Sequence, residues 1–216
     1  MDTLKKEKLY VKLLKYEFEK TYLVYLGHIV GGGQLNISPS KVDVIVNWPN
    51  PTSTTKLRRF LGVVNYWRKI IDKFSFIASP LHALMSVKKS FKCKGKENKY
   101  FDTLKGNIST TPVLIFPRLQ QPFNIKTDAS SYAMGAILMQ HRKPICYHSE
   151  NFSQAVANYP THDKDLYDLV QSVKKSKHYL MGKETIIHTD HQPLQYLQSQ
   201  TKLQQSHHYR WVGFLQ

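Results

Sequence analysis

Two aspartates end apolar, β-branched runs in closely similar settings. They are Asp128 in Lys126-Thr127-Asp128-Ala129-Ser130 and Asp190 in His188-Thr189-Asp190-His191-Gln192. Between them a helical stretch brings three more carboxylates, Asp163, Asp165 and Asp168. Carboxylates drawn from distant parts of a chain to one sheet edge make an all-oxygen site, which suits Mg2+ or Mn2+ better than zinc. Two such ions about 3.5–4 Å apart activate a water and stabilise the leaving oxygen of a phosphodiester. A plainer reading stands beside this one. An aspartate at a strand end is commonly a turn former or a helix cap, and Asp128 before Ala129-Ser130 fits that role too. Asp163 reads as a solvated first-turn residue rather than a ligand. His188, His191, His207 and His208 show neither an H-E-x-x-H spacing nor cysteine partners, so zinc is not expected.

The aspartates can meet only if the elements carrying them are arranged for it. Residues 123–128 read as a strand, and 134–140 and 144–149 as two more joined by tight turns. Residues 163–180 read as a helix with Leu166, Leu169, Val170 and Val173 facing a core and Thr161 as its cap. A fourth strand follows at 183–189, then a short helix at 193–197 and a helical tail at 202–216. The long helix works as a crossover, which lets the first and fourth strands run parallel and side by side. Asp128 and Asp190 would then share the carboxyl edge of the sheet. Asp165 is expected in the first helical turn, where the helix N-terminus favours its ionised form.

Upstream, Tyr22-Leu23-Val24-Tyr25-Leu26-Gly27-His28-Ile29-Val30 runs into Gly31-Gly32-Gly33 and fits a hairpin or a strand closed by a turn. From 38 to 109 the pattern is helical. Pro39 opens one helix and Trp48-Pro49-Asn50-Pro51 stops it. Thr52 or Ser53 caps the next, where Leu57, Phe60, Leu61, Val64 and Ile71 form an apolar stripe. Arg58, Arg59, Arg68 and Lys69 lie off that stripe, either as a solvated basic face or as a surface that tracks a nucleic-acid backbone. Ser79-Pro80 reads as the start of a further short helix. The basic run at 88–96 reads as a loop, and 111–122 as a linker with an apolar insert.

With 216 residues and 41% hydrophobic content, the chain can bury a core in one large domain or two small ones. Lysine and arginine outnumber aspartate and glutamate by 31 to 15, a net charge of +16 that suits a polyanion. Acidic membranes attract basic proteins as well. Thirteen tyrosines, ten phenylalanines and three tryptophans offer stacking surfaces for bases, which favours nucleic acid. Cys93 and Cys146 stand far apart, outside any C-x-x-C spacing, so neither a disulfide framework nor a cysteine-rich zinc site is expected. No apolar run reaches the roughly 18–20 residues of a membrane span, and the amino terminus lacks the apolar core of a signal peptide. These features lead to an expectation of an intracellular chain, in the cytoplasm or nucleus, with no membrane partner.

Several of these stretches together carry a resemblance. They are Tyr25-Leu26-Gly27-His28-Ile29-Val30, Trp48-Pro49-Asn50-Pro51, Leu57-Arg58-Arg59-Phe60-Leu61-Gly62-Val63-Val64-Asn65-Tyr66-Trp67-Arg68, Thr127-Asp128-Ala129-Ser130, Asn158-Tyr159-Pro160-Thr161, His178-Tyr179-Leu180 and His188-Thr189-Asp190-His191. In order and spacing the chain resembles the pol polyprotein of gypsy-type LTR retrotransposons, the plant branch in particular. The resemblance implies a mixed α/β chain. Residues 1–37 would end a reverse transcriptase palm, 38–118 would form thumb or connection helices, and 119–216 would form a ribonuclease H-like mixed sheet with flanking helices, incomplete at its C-terminus.

The resemblance also implies roles. Leu26-Gly27-His28 falls at the primer grip, and Arg58, Arg59, Arg68 and Lys69 would contact nucleic acid. Asp128, Asp165 and Asp190 match the first three RNase H carboxylates, holding Mg2+ or Mn2+ to cut RNA in an RNA–DNA hybrid. No small-molecule cofactor is implied, and an intact reverse transcriptase is a further expected partner. The family has glutamate where this chain has Asp165, and its fourth carboxylate lies beyond Gln216. No Tyr-x-Asp-Asp occurs in the chain. The expectation is therefore impaired hydrolysis and no polymerase activity of its own. The alternatives are a non-catalytic hybrid-binding remnant or a decaying reading frame.

Overall fold

The computed structural model describes residues 2–8, 10, 19–85, 91, 95–110, 112–189, 211 and 213. After a short helix α1 (Asp2–Lys6), three strands form a meander: β1 (Tyr22–Tyr25), β2 (His28–Gly31) and β3 (Gln34–Ile37). Leu26 and Gly27 both take positive φ, 49° and 81°, the two-residue turn whose twist matches paired strands. Gly32 and Gly33, at φ 55° and 72°, make the second turn. The apolar run therefore folds as a hairpin, with the glycines serving the next turn. The expected linker contributes more than a connection. Its apolar insert, β4 (Leu114–Ile115), pairs antiparallel with β3 and completes the sheet β1-β2-β3-β4.

Among the described residues, four helices lie between: α2 (Pro39–Val46), α3 (Thr54–Tyr66), α4 (Phe74–Ala83) and α5 (Lys96–Ser109). Ser53 caps α3, its hydroxyl accepting from the Lys56 amide at 3.3 Å. Such a cap stabilises a helix by about 1 kcal/mol. Leu57, Phe60, Leu61 and Val64 face inward and join Ile45, Leu81, Phe101, Leu104 and Ile108 in one core. The helix expected to begin at Ser79-Pro80 begins instead at Phe74, with Pro80 inside it. Proline has no N–H to give the carbonyl four residues back, that of Phe76. The Tyr132 hydroxyl donates to that carbonyl instead, at 3.4 Å.

The second sheet has the order β7-β6-β5-β8, formed by β5 (Phe123–Ala129), β6 (Ala133–Gln140), β7 (Lys143–Asn151) and β8 (Thr185–His188). β5, β6 and β7 pair antiparallel, while β8 lies parallel to β5 with Lys126 opposite His188. The helix α7 (Thr161–Leu180) makes the crossover, after a single turn α6 (Gln154–Ala157). The expected parallel pairing of the first and fourth strands is thus present. Phe123, Ile125, Leu138 and Ile145 form a core with Leu180 at the end of α7. The other face of the sheet meets α4, where Phe76 packs against Gly135. Because β6 is covered on both sides, it reads as a nearly unbroken apolar run.

The helical segment is fastened to the second sheet by specific bonds. The Tyr147 amide donates to the Lys69 carbonyl at 2.9 Å, and the Ser75 amide to Ser149 Oγ at 2.9 Å. Arg68 donates to the Ser149 carbonyl, and Tyr147 joins the helical core. No helix among the described residues is long and apolar enough to cross a membrane. The expected helix at 193–197 lies outside the described residues, as does the expected helical tail at 202–216 apart from residues 211 and 213, which are helical, and most of the basic run at 88–96.

Candidate metal centre

Asp128 stands on β5, on the face opposite to Phe123, Ile125 and Thr127, because successive strand residues alternate. Asp165 stands on α7. The two line one cavity of about 240 Å³, together with Thr127, Ala129, Thr161, Asp168 and Thr189. Two of the three expected ligands are therefore brought together. The third, Asp190, lies outside the described residues; Thr189, which precedes it in the chain, lines the cavity. Among the described residues, no group of three His, Cys, Asp or Glu side chains is placed to hold a metal ion. The donors around the cavity are carboxylates and threonine oxygens, a set that fits a hard cation such as Mg2+ or Mn2+.

The helix start differs from expectation. Pro160 is the N-cap and makes no side-chain bond, while Thr161 is the first helical residue. Asp165 consequently falls past the first turn, which holds only Asp163 among acidic residues. Asp163 is not solvated but buried, with 1% of its surface exposed. The spacing of residues 163, 166 and 170 puts it on the same face as core-forming Leu166 and Val170. His162 Nε2 lies 3.2 Å from its Oδ1.

Asp168 is wholly buried beside this cavity. Its Oδ1 accepts from Ser172 Oγ at 2.9 Å, one helical turn on. Its Oδ2 has no hydrogen-bond partner of normal geometry among the described residues. Burial pushes this carboxyl up to about 7; the Ser172 hydroxyl and nearby backbone of Gly135 and Asp128 pull it back, and the charge of Asp128 adds to the rise. In the sequence this side chain reads only as part of an acidic cluster. Its i, i+4 relation to Ser172 was the available signal that it would turn inward.

Asp128 also has a partner that the sequence did not suggest. Lys73, from the corner between α3 and α4, bonds its ammonium to Asp128 Oδ2. Both side chains remain about half exposed. Beside them is Asp72, whose carboxyl is raised by burial; it also feels the charges of Lys73, Asp128 and Lys126.

The remaining expected contact residues divide. Arg58, Arg59 and Lys69 are exposed, whereas Arg68 is half-buried and engaged with Ser149. In the hairpin, the Leu26 carbonyl accepts from the Tyr66 hydroxyl at 3.1 Å, and the His28 and Trp67 rings meet edge to face with centroids 4.6 Å apart. Burial lowers the pKa of His28. A Cβ on Gly27 would stand 3.2 Å from the Trp67 ring, so this turn sits tightly on the end of α3.

Comparison with known proteins agrees with this architecture. Residues 118–216 match the family model of the RNase H-like domain found in reverse transcriptase. The retrovirus-related Pol polyprotein from transposon 297 of Drosophila melanogaster is 37% identical over 190 residues, covering 87% of this chain and 18% of that protein. The chain thus spans about a fifth of the length of the curated relatives it matches. Among solved structures, a foamy viral protease-reverse transcriptase (dRH) with double-stranded DNA superposes with a TM-score of 0.76. Its identity is 20%, over 91% of this chain and 36% of that one. The foamy viral protease-reverse transcriptase with an RNA/DNA hybrid gives 0.73 at 21% identity, over 94% and 28%. The chain belongs to the Pol polyproteins of gypsy-type LTR retrotransposons, and its residues 118–216 to the RNase H-like domain of reverse transcriptase.

Proposed function

We propose that the chain is an RNase H-type phosphodiesterase segment that cuts RNA paired with DNA, with Asp128, Asp165 and Asp190 holding Mg2+ or Mn2+. One observation carries this reading: Asp128 of β5 and Asp165 of α7 line a single cavity with Thr189, the residue before Asp190. Divalent ions bound there would activate water and stabilise the leaving oxygen of a phosphodiester. The carboxylates fix where the charge lies. Exposed Arg58, Arg59 and Lys69 supply phosphate contacts, and the Leu26-Gly27-His28 turn rests against α3 where it could steady one strand. Recognition of this kind reads backbone shape and 2′-hydroxyls rather than sequence. A related fold is known in complex with an RNA/DNA hybrid, which supports the substrate class. Asp165 is one methylene shorter than the glutamate of the family, and we expect slower hydrolysis for that reason.

A second reading, hybrid binding without cleavage, is favoured by the ammonium of Lys73 on Asp128. Labelled hybrid incubated with the chain and Mg2+ separates the two. Cleavage that Asp128→Asn abolishes supports the first; salt-sensitive binding without cleavage supports the second.

A further inference from the structure

Lys73 combines features that a chance surface ion pair lacks. It precedes α4 at φ 51° and ψ 33°, in the left-handed region. That conformation is strained for a residue with a Cβ, and glycine is the default there. Residues on both sides of it are pinned to β7: the Lys69 carbonyl by the Tyr147 amide, and the Ser75 amide by Ser149 Oγ. The corner is thereby held against the second sheet, and the Lys73 ammonium rests on Asp128 Oδ2. Its Nζ also lies 5.9 Å from the Phe76 ring centroid.

We propose that Lys73 is a resident cation of the carboxylate site, seated on the Asp128 oxygen that a divalent ion would use. This rests on Asp128 being a metal ligand. Metal then enters by exchange with an ammonium, and the helical segment tunes how readily it does so. Asp72 adds to the effect. With the ammonium removed, the carboxylates of Asp72 and Asp128 lose one neutralising charge, that of Lys126 remaining near Asp72, and the added negative charge favours a divalent ion. The ion pair is half exposed, so Lys73 modulates binding rather than blocking it.

Calorimetric titration of the whole chain with Mn2+ tests the proposal without recourse to activity. Lys73→Gln should tighten Mn2+ binding, by about five-fold at most, the equivalent of about 1 kcal/mol for an exposed pair. Lys73→Arg should stay near the parent value. Lys73→Gly should tighten binding and also raise the melting temperature, since it removes the ammonium and the backbone strain together. The difference between Lys73→Gln and the parent should shrink as salt rises. Equal affinity in Lys73→Gln and the parent, with binding lost in Asp128→Asn, would overturn the role of Lys73 alone. Mn2+ binding unchanged by Asp128→Asn, or absent from every variant, would overturn both this role and Asp128 as a ligand.

Discussion

Phe76 on α4 and Gly135 on β6 are in such close contact that a Cβ on Gly135 would stand 3.1 Å from the Phe76 ring. This is where the helical segment presses on the face of the second sheet opposite α7. Gly135→Val should therefore force the two apart and cost about 1–3 kcal/mol, as overpacking does. Thermal melts of the chain measure it. Adding Phe76→Ala should recover part of the loss, because the clash is removed while a cavity remains.

Gln140 ends β6 with 1% of its surface exposed. Its side-chain oxygen accepts from the Arg118 amide at 2.9 Å, and its amide donates to the carbonyls of Arg118 at 3.0 Å and Gln121 at 3.1 Å. Gln140→Leu keeps the volume but leaves these part-buried backbone groups unmatched. A loss of about 2–4 kcal/mol is expected from denaturant unfolding, larger than for surface glutamines.

Asp168 makes stability depend on pH in a sense opposite to a salt-bridged carboxylate. Its pKa in the folded chain, about 7, lies above the ordinary 3.8. Between those values the folded state holds a proton that the unfolded state has released. The contribution is thus fully present below about pH 4 and is lost as pH rises through about 7. Asp168→Asn should flatten this part of the profile and raise the melting temperature of the metal-free chain at pH 8. A fall in stability from pH 4 to 7 that persists unchanged in the variant would assign the titration elsewhere.

Asp165→Glu should raise hybrid cleavage by restoring the longer arm. The expected gain is about ten-fold, the scale of losses seen when a ligand shell is disturbed. The same change should leave salt-dependent hybrid binding unaltered.

Much of this architecture was legible in the sequence because its signals are local. The apolar stripe of α3, the Ser53 cap, the alternation in β5 and the crossover needed for parallel strands each depend on a few neighbouring residues. What escaped depends on tertiary partners. Pro80 reads as a helix start until the Tyr132 hydroxyl is found serving the Phe76 carbonyl. Asp163 reads as solvated until its helical face is seen to be the buried one. Leu114-Ile115 reads as a linker insert because nothing local announces its pairing with β3. At the candidate site, the approach of Asp128 to Asp165 was legible from the ends of their elements. Lys73 was not, since its contact spans distant parts of the chain and its left-handed backbone carries no glycine to mark it.

The most direct measurement is cleavage of a labelled RNA–DNA hybrid by the chain in Mg2+ or Mn2+. The proposed site predicts slow, metal-dependent scission of the RNA strand alone, accelerated by Asp165→Glu and abolished by Asp128→Asn. Cleavage that survives Asp128→Asn, or an Asp165→Glu chain that binds hybrid yet leaves it intact, would contradict the assignment of this cavity as the catalytic centre.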